Sequence, residues 1–147
     1  MSVERISLDT NILFYTVDAD AGARQEKARE VVRRAAASYD CFLTLQTLGE
    51  FFAATTRKGK LSAAEAALRL EDWQTLFPVV AATPGNLRLA VRAVEQHKLS
   101  SWDAMLWAVV KQAGATLLLS EDLQHDRVLE GVRFRNPFLV EDPFALP

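Results

Sequence analysis

The sequence predicts an α/β domain built on a mostly parallel sheet, and two features of its patterning support this. Short apolar runs rich in Val, Ile, Leu or Phe alternate with longer segments whose apolar residues recur at helical spacing. No Gly/Ser/Pro-rich linker divides the 147 residues, a length suited to a single domain, 1–147. Strands separated by helical crossovers form parallel sheets, so we expect about four or five strands with helices on both faces.

The predicted strands are short, and one of them is apolar throughout. The run "TLLL" at 116–119 shows no alternation, as expected for a strand buried on both faces. The complete set of predicted strands is 3–8, 41–45, 79–83, 116–119 and 132–138, the last of these at an edge of the sheet.

The predicted helices occupy the intervals between these strands. Each carries apolar residues at helical spacing, and most have a recognisable start or stop signal. In chain order, the first two cover 23–38 and 46–59, the latter ending at Gly59. The third is opened by the capping box of Ser62 and Glu65 and stopped by Pro78. The fourth follows the Pro84-Gly85-Asn86 turn, and the fifth is capped by Ser100 or Ser101 and ends at Gly114.

Composition excludes several classes of protein. The 17 basic and 19 acidic residues leave a formal charge of −2, so binding to nucleic acid would need a local basic patch or a bound cation. The single cysteine, Cys41, excludes an internal disulfide and suits a reducing compartment. His97 and His125 have no partners at zinc-ligand spacing. Since neither a signal peptide nor a membrane-length apolar run is evident, we expect a cytoplasmic protein.

Acidic residues follow two of the predicted strands directly. Asp9 comes after the first strand, and Ser120, Glu121 and Asp122 come directly after "TLLL". If both strands are central and parallel, these residues arrive at one edge of the sheet, where open α/β sheets bind their ligands. Glu50 and Asp103 lie in helices that could point their first turns towards the same edge.

Each of these residues also has an ordinary structural interpretation. Asp9, Thr10 and Asn11 are typical of turns and helix caps. Asp103 could complement a helix dipole, Glu50 could lie on a solvated helix face, and 120–122 could be a polar loop. Spacing alone leaves these alternatives open.

If the fold brings the four carboxylates together, something must offset their repulsion. Each pair at about 4 Å costs roughly 4 kcal/mol at an effective dielectric near 20. Either some of the carboxyls are protonated with raised pKa values, or a cation lies among them. Because the candidate ligands are hard oxygens, that cation would be Mg²⁺ or Mn²⁺. Such an ion can activate water for attack on a phosphodiester.

Four segments of the chain together resemble the acidic motifs of a known family. "LDTNILFY", "TLGEFFAA", "SSWDAMLWA" and "LLLSEDLQHD" are similar, in order and separation, to the motifs of PIN-domain ribonucleases, and most of all to VapC-type toxins of toxin–antitoxin pairs. The resemblance runs from Ile6 to about Phe138. It implies a PIN-like fold and a Mg²⁺- or Mn²⁺-dependent endoribonuclease that hydrolyses RNA with a metal-activated water. It also implies a homodimer and a small antitoxin whose basic arm fills the acidic cleft.

The resemblance also assigns roles to individual residues. Asp9 and Asp103 would ligate the metal most directly, while Glu50 would act on it through water. Asp122 would be the fourth acid, although neighbouring Glu121 or Asp126 could join the site. The supporting residues would be Ser120, which bonds within the site, Asn11, which holds the Asp9 carboxylate, and Thr10, with a lesser role.

Two further groups of side chains have competing interpretations. Arg57, Lys58 and Lys60 are candidate RNA contacts, although a cluster of this size is more often solvated surface. Trp102 and Trp107 are predicted to be core residues because their hydrophobic spacing needs no ligand to explain it.

Two other functions fit parts of the pattern. A haloacid-dehalogenase-type phosphatase also has an Asp after its first strand, but it usually has a second Asp two residues later, where this chain has Asn11. A non-catalytic PIN-like domain that binds RNA or protein would keep the fold without the chemistry.

Overall fold

The computed structural model describes residues 4–145, in which helices cover both faces of a six-stranded sheet. The strands are β1 (Arg5–Leu8), β2 (Asp40–Thr44), β3 (Val79–Val80), β4 (Leu117–Leu119), β5 (Val128–Leu129) and β6 (Val132–Arg135). The helices are α1 (Thr10–Val17), α2 (Ala23–Ser38), α3 (Leu45–Arg57), α4 (Ala63–Leu76), α5 (Pro84–His97) and α6 (Ser101–Gln112).

The strand order β3-β2-β1-β4-β6-β5 confirms the predicted, mostly parallel sheet. Only the β5–β6 pair is antiparallel. The expectation of four or five strands missed β5, because two residues are too few to show a pattern. The edge position predicted for the last strand was wrong, since β6 lies between β4 and β5. Val3, the start of the first predicted strand, lies outside the described residues.

Alternate side chains of the central strands point to opposite faces of the sheet and build two apolar clusters. Leu117 and Leu119 belong to the cluster under α1 to α4, whereas Leu118 belongs to the cluster under α5 and α6. In the second cluster Trp107 is fully buried, and its indole N–H donates to the carbonyl of Leu129 at 3.2 Å. The residues that directly follow β1 and β4 at their carboxyl ends, Asp9 and Ser120, are polar.

Helix starts follow the local sequence closely, with one exception. Ser62 and Glu65 form the predicted capping box of α4, and Ser100 caps α6. The predicted turn at 84–86 was wrong, because these residues form the first turn of α5. Thr83 caps that helix and exchanges hydrogen bonds with Asn86, so an asparagine takes the place usually held by Glu or Gln. Proline suits this first helical position.

Two other observations concern the surface. The prediction that Trp102 is a core residue was wrong: its side chain is 71% exposed at the start of α6. Within residues 4–145, no helix has both the length and the apolar character needed to cross a membrane.

Candidate active site

The pairing of β1 with β4 brings Asp9 and Ser120 together. Leu8 and Leu119 are opposite each other in this parallel pair, so the next residue of each strand lies at the same edge of the sheet. The Asp9 backbone N–H donates to the carbonyl of Leu119 at 2.9 Å. The Ser120 hydroxyl donates to Oδ2 of Asp9 at 2.7 Å. Two residues more than a hundred positions apart therefore share one hydrogen bond at the predicted edge.

Asp9 is both a helix cap and the most buried acid of the group. Its Oδ1 accepts the backbone N–H of Thr10 at 2.7 Å, which caps α1, and the residue is only 7% exposed. Burial raises the pKa of Asp9 to about 6. The negative charges of Glu50 and Asp122 raise it further, while the hydrogen bonds from Ser120 and Thr10 oppose the shift. Asp9 therefore caps α1 and also lies at the sheet edge where the site is predicted.

Glu50 reaches this group through Thr10. The Thr10 hydroxyl donates to Oε2 of Glu50 at 2.9 Å, and Gln46, one turn earlier on α3, donates to Oε1 at 3.1 Å. Glu50 itself is exposed. Glu50 is thus an exposed carboxylate of α3 that is hydrogen-bonded to Thr10, the residue next to Asp9.

Asp122 is held by Asn11. The Asn11 amide donates to Oδ2 of Asp122 at 3.1 Å, and its carbonyl oxygen accepts the backbone N–H of Glu121 at 3.2 Å. The Ser120 hydroxyl accepts the Asp122 backbone N–H at 3.1 Å. The expectation that Asn11 holds the Asp9 carboxylate was wrong, because its side chain faces the loop after β4. It orients the fourth acid instead of the first.

Glu121 and Asp126 have partners other than Asp9. Glu121 accepts hydrogen bonds from the Tyr15 hydroxyl at 3.0 Å and from Arg24 Nε at 3.2 Å. Asp126 accepts from Arg135 Nε at 3.1 Å. Sequence reasoning missed Tyr15 and Arg24. The one available signal was that Tyr15 lies four residues after Asn11 and hence on the same face of α1.

Within residues 4–145, no hydrogen bond joins Asp103 directly to the other three acids. Asp103 is half-buried in the first turn of α6, where its backbone N–H donates to the Ser100 hydroxyl at 3.3 Å. Gln46 connects this turn to α3 by donating to the carbonyl of Trp102 at 3.3 Å. Across residues 4–145, no three His, Cys, Asp or Glu side chains lie close enough together to hold a metal ion as they stand. The structure therefore joins Asp9 to Glu50 through Thr10 and to the backbone N–H of Asp122 through Ser120, and Asp103 is not part of these hydrogen bonds.

An open cleft of about 690 Å³ lies beside these acids, between α1 and α3. The predicted basic residues Arg57, Lys58 and Lys60 all line it, but they differ in charge environment. Lys60 Nζ lies 2.8 Å from both Asp18 and Asp20, and its hydrogen bond holds the pKa of Asp18 below its usual range. The remaining lining residues are Thr10, Asn11, Phe14, Tyr15, Asp18, Glu50, Ala53, Ala54 and Asp122.

The chemistry of the donor set fits a hard divalent cation. Carboxylate, hydroxyl and amide oxygens are the groups that Mg²⁺ and Mn²⁺ prefer. The pKa of Asp9 is raised mainly by burial and further by the negative charges of Glu50 and Asp122, and a bound cation would favour the ionised carboxylate. Cys41 offers no alternative chemistry, because burial raises the pKa of its thiol to about 12 and keeps it protonated.

Comparison with known proteins places this geometry in a wider group. The model of the PIN domain family matches residues 6–130. No curated protein sequence matches the chain. Among solved structures, the VapC20 toxin of Mycobacterium tuberculosis, described as cleaving the sarcin–ricin loop, is 25% identical with a TM-score of 0.62. That match covers 80% of this chain and 91% of the toxin.

Two toxin–antitoxin assemblies share the fold at lower identity. A toxin–antitoxin complex from Klebsiella pneumoniae is 18% identical with a TM-score of 0.65. The match covers 90% of this chain and 97% of the matched chain. VapBC2 of Rickettsia felis, bound to a DNA fragment from its promoter, is 12% identical with a TM-score of 0.67, covering 90% of this chain and 98% of its own.

Proposed function

This chain belongs to the PIN-domain family, and we propose that it is a Mg²⁺- or Mn²⁺-dependent endoribonuclease that acts as the toxin of a toxin–antitoxin pair. One observation carries the proposal: the buried carboxylate of Asp9 is joined through Thr10 to the carboxylate of Glu50 and through Ser120 to the backbone N–H of Asp122, beside an open cleft. The 25% identity to an RNA-cleaving toxin supports RNA as the substrate class.

The residues that would hold the cation are Asp9, Glu50, Asp122 and, on α6, Asp103. A bound divalent cation supplies water activation and charge stabilisation in phosphodiester hydrolysis. The chain itself orients the acids: the Thr10 N–H and the Ser120 hydroxyl fix both oxygens of Asp9, and Asn11 fixes Asp122. These bonds limit the motion of the carboxylates before any ligand arrives.

Two of the three basic side chains are suited to attract the RNA backbone. Arg57 and Lys58 line the cleft without a carboxylate partner among the described ion pairs, and Lys58 Nζ lies 4.9 Å from the centre of the Phe14 ring. Lys60 is neutralised by Asp18 and Asp20. We therefore assign phosphate attraction to Arg57 and Lys58, and the anchoring of the α3–α4 turn to Lys60.

The direct test is cleavage of single-stranded RNA by the purified protein. We expect cleavage with added Mg²⁺ or Mn²⁺, none in excess EDTA, and a rate about 10- to 100-fold lower in Asp122→Asn, which keeps the shape of the side chain but removes its charge. Asp72→Asn is the control, because Asp72 is an exposed acid of α4 whose one ion pair among the described residues is with Arg69 at 3.4 Å. EDTA-resistant cleavage, or equal rates in both variants, contradicts the proposal.

One observation favours a second candidate, a non-catalytic PIN-like domain that binds RNA or protein. As described above for residues 4–145, no three acidic side chains are already grouped closely enough to hold a metal ion. RNA binding that persists without any metal-dependent cleavage, in the same experiment, selects this candidate.

A homodimer is part of the proposal, and α5 and α6 carry a surface suited to it. Leu87, Val91 and Trp102 are 55%, 51% and 71% exposed and border one apolar groove. If a second copy packs its α5 antiparallel about a two-fold axis near Val91, Arg88 of each copy meets Glu95 of the other. Both of these charged side chains are exposed, so the groove and its rim are self-complementary.

We expect Val91→Glu to convert the dimer to a monomer, because it places two like charges at the two-fold axis in an apolar contact. Light scattering after size-exclusion chromatography measures the mass directly. Leu68→Glu is the matched control, since Leu68 is 62% exposed on α4, away from this groove. A monomeric wild-type protein, or a dimer that survives Val91→Glu, rules out this interface.

A further inference from the structure

The side chain of Glu121 is held by residues of two helices, α1 and α2. Its Oε1 accepts the Tyr15 hydroxyl of α1, and its Oε2 accepts Arg24 Nε of α2. Both carboxylate oxygens therefore have a donor, and one of the donors is charged. Glu121 is the immediate neighbour of Asp122, so its orientation constrains the fourth acid of the candidate site.

The two donors are themselves packed in place. Arg24 lies with its guanidinium carbon 5.4 Å from the centre of the Phe138 ring and 6.0 Å from that of Tyr15. Tyr15 and Phe138 meet edge to face with ring centres 5.3 Å apart. These contacts restrict the rotamers of Tyr15 and Arg24, so the donors are in position before Glu121 meets them.

The loop after β4 is thus attached to α1 at two successive turns. Asn11 binds the Glu121 backbone N–H and the Asp122 carboxylate, and Tyr15, one turn later, binds the Glu121 carboxylate. The hydrogen bond from Tyr15 is the second attachment. With it, the Glu121 charge is paired with Arg24, and Asp122 is the acid of this loop that reaches Asn11.

We propose that Tyr15 and Arg24 are positioning residues that hold the Glu121 carboxylate away from the cleft and thereby keep Asp122 directed at the candidate metal site. This inference rests on the proposed function for its catalytic meaning. The orientation of the loop is a separate property that can be measured without RNA or metal.

The test compares Tyr15→Phe and Arg24→Met with the wild-type protein, with Arg33→Met as the control because Arg33 is an exposed arginine on the same helix as Arg24. Calorimetry measures Mn²⁺ affinity, and amide hydrogen exchange by NMR reports on Glu121 and Asp122. We expect both variants to bind Mn²⁺ about tenfold more weakly and to exchange these two amides faster. Arg33→Met should match the wild type in both measurements.

A second comparison separates positioning from general stabilisation. If Tyr15 and Arg24 only stabilised the fold, the melting temperature would fall while Mn²⁺ affinity, measured where every variant is folded, stayed unchanged. Arg24→Met and Glu121→Gln remove the same ion pair. We therefore expect the double variant to bind Mn²⁺ no more weakly than either single variant.

The outcomes for the two proposals are distinguishable. Unchanged Mn²⁺ affinity together with unchanged exchange of the Glu121 and Asp122 amides overturns the positioning role. A wild-type protein that binds no Mn²⁺ removes the proposed function, and the amide exchange still decides whether Tyr15 and Arg24 order the loop.

Discussion

Replacing Asp9 by asparagine is expected to lower the rate of RNA cleavage by roughly a thousandfold or more, since the charge stabilisation supplied through a bound cation amounts to several kcal/mol. Asp9 is the buried member of the acidic group and has both oxygens oriented by hydrogen bonds. Asparagine keeps the cap of α1, because Asn and Asp are about equally good N-cap residues. The loss then reflects the missing charge together with the replacement of the oxygen that accepts from Ser120 by an amide NH₂ donor.

Single-turnover cleavage of single-stranded RNA with saturating Mn²⁺ measures this effect. Asp72→Asn, a surface acid on α4, should cleave at the wild-type rate. A variant at Asp9 that retains more than about a tenth of the activity would show that this carboxylate does not carry the reaction.

The same variant tests the proposed toxin role in cells. Induced expression of the wild-type chain should arrest growth, and Asp9→Asn should not. Co-expression of a small protein encoded beside the gene should restore growth if the protein has a cognate antitoxin. Growth arrest by both forms would separate toxicity from the acidic site.

The second large effect concerns stability and pH in the absence of metal. Asp9 has a pKa of about 6 in the folded protein against an ordinary value of 3.8, mainly because of burial. Between these two pH values the folded state keeps a proton that the unfolded state has released, so the free energy of unfolding falls as pH rises through this window. The difference amounts to roughly 3 kcal/mol when the shift is fully expressed.

Asp9→Asn lacks this titration, so the variant should be more stable than the wild type at pH 7.5 by up to about 3 kcal/mol and nearly equal to it at pH 3.5. Urea unfolding at both pH values, in EDTA, gives the two differences directly. Asp72→Asn should show no such pH-dependent gain. A variant that is less stable than the wild type at pH 7.5 would contradict the interpretation that the buried charge of Asp9 lowers the free energy of unfolding.

Added Mn²⁺ should reverse this order of stability at pH 7.5. A ligand that binds only the folded state stabilises it by an amount that grows with the ratio of ligand concentration to Kd, and Asp9→Asn is expected to have lost most of the affinity. The same substitution is thus expected to stabilise the protein without metal and to abolish its activity with metal, as is common where function requires clustered like charges.

Much of the fold could be predicted because its signals are local. The helix 23–38 matches α2 residue for residue, and Ser62 with Glu65 marks the start of α4, since apolar spacing and capping depend on neighbours within one or two turns. The failures were local signals with two meanings. Pro84-Gly85-Asn86 reads as a turn, yet proline and asparagine also suit a helix start once Thr83 caps it.

The sequence by itself also determined which strand ends carry acids, because the residue that follows a buried strand must lie at the edge of the sheet. Asp9 and the neighbouring pair Glu121 and Asp122 could be selected in this way. Which neighbouring acid faces the cleft, and what Asn11 holds, were decided by the tertiary structure. Those outcomes depend on the directions of side chains that come from helices far away in the chain, such as Tyr15 and Arg24 on Glu121.

Long-range packing also explains why Trp102 is exposed and why Lys60 is paired with acids. Hydrophobic spacing shows that a helix has an apolar face, but the elements packed around it decide how far that face is covered. None of the elements in residues 4–145 covers Trp102. A basic cluster shows charge, but whether that charge remains available depends on acids brought near by folding, as Asp18 and Asp20 are to Lys60. Local patterning determined the fold and the candidate acids, and long-range packing decided their orientation and charge.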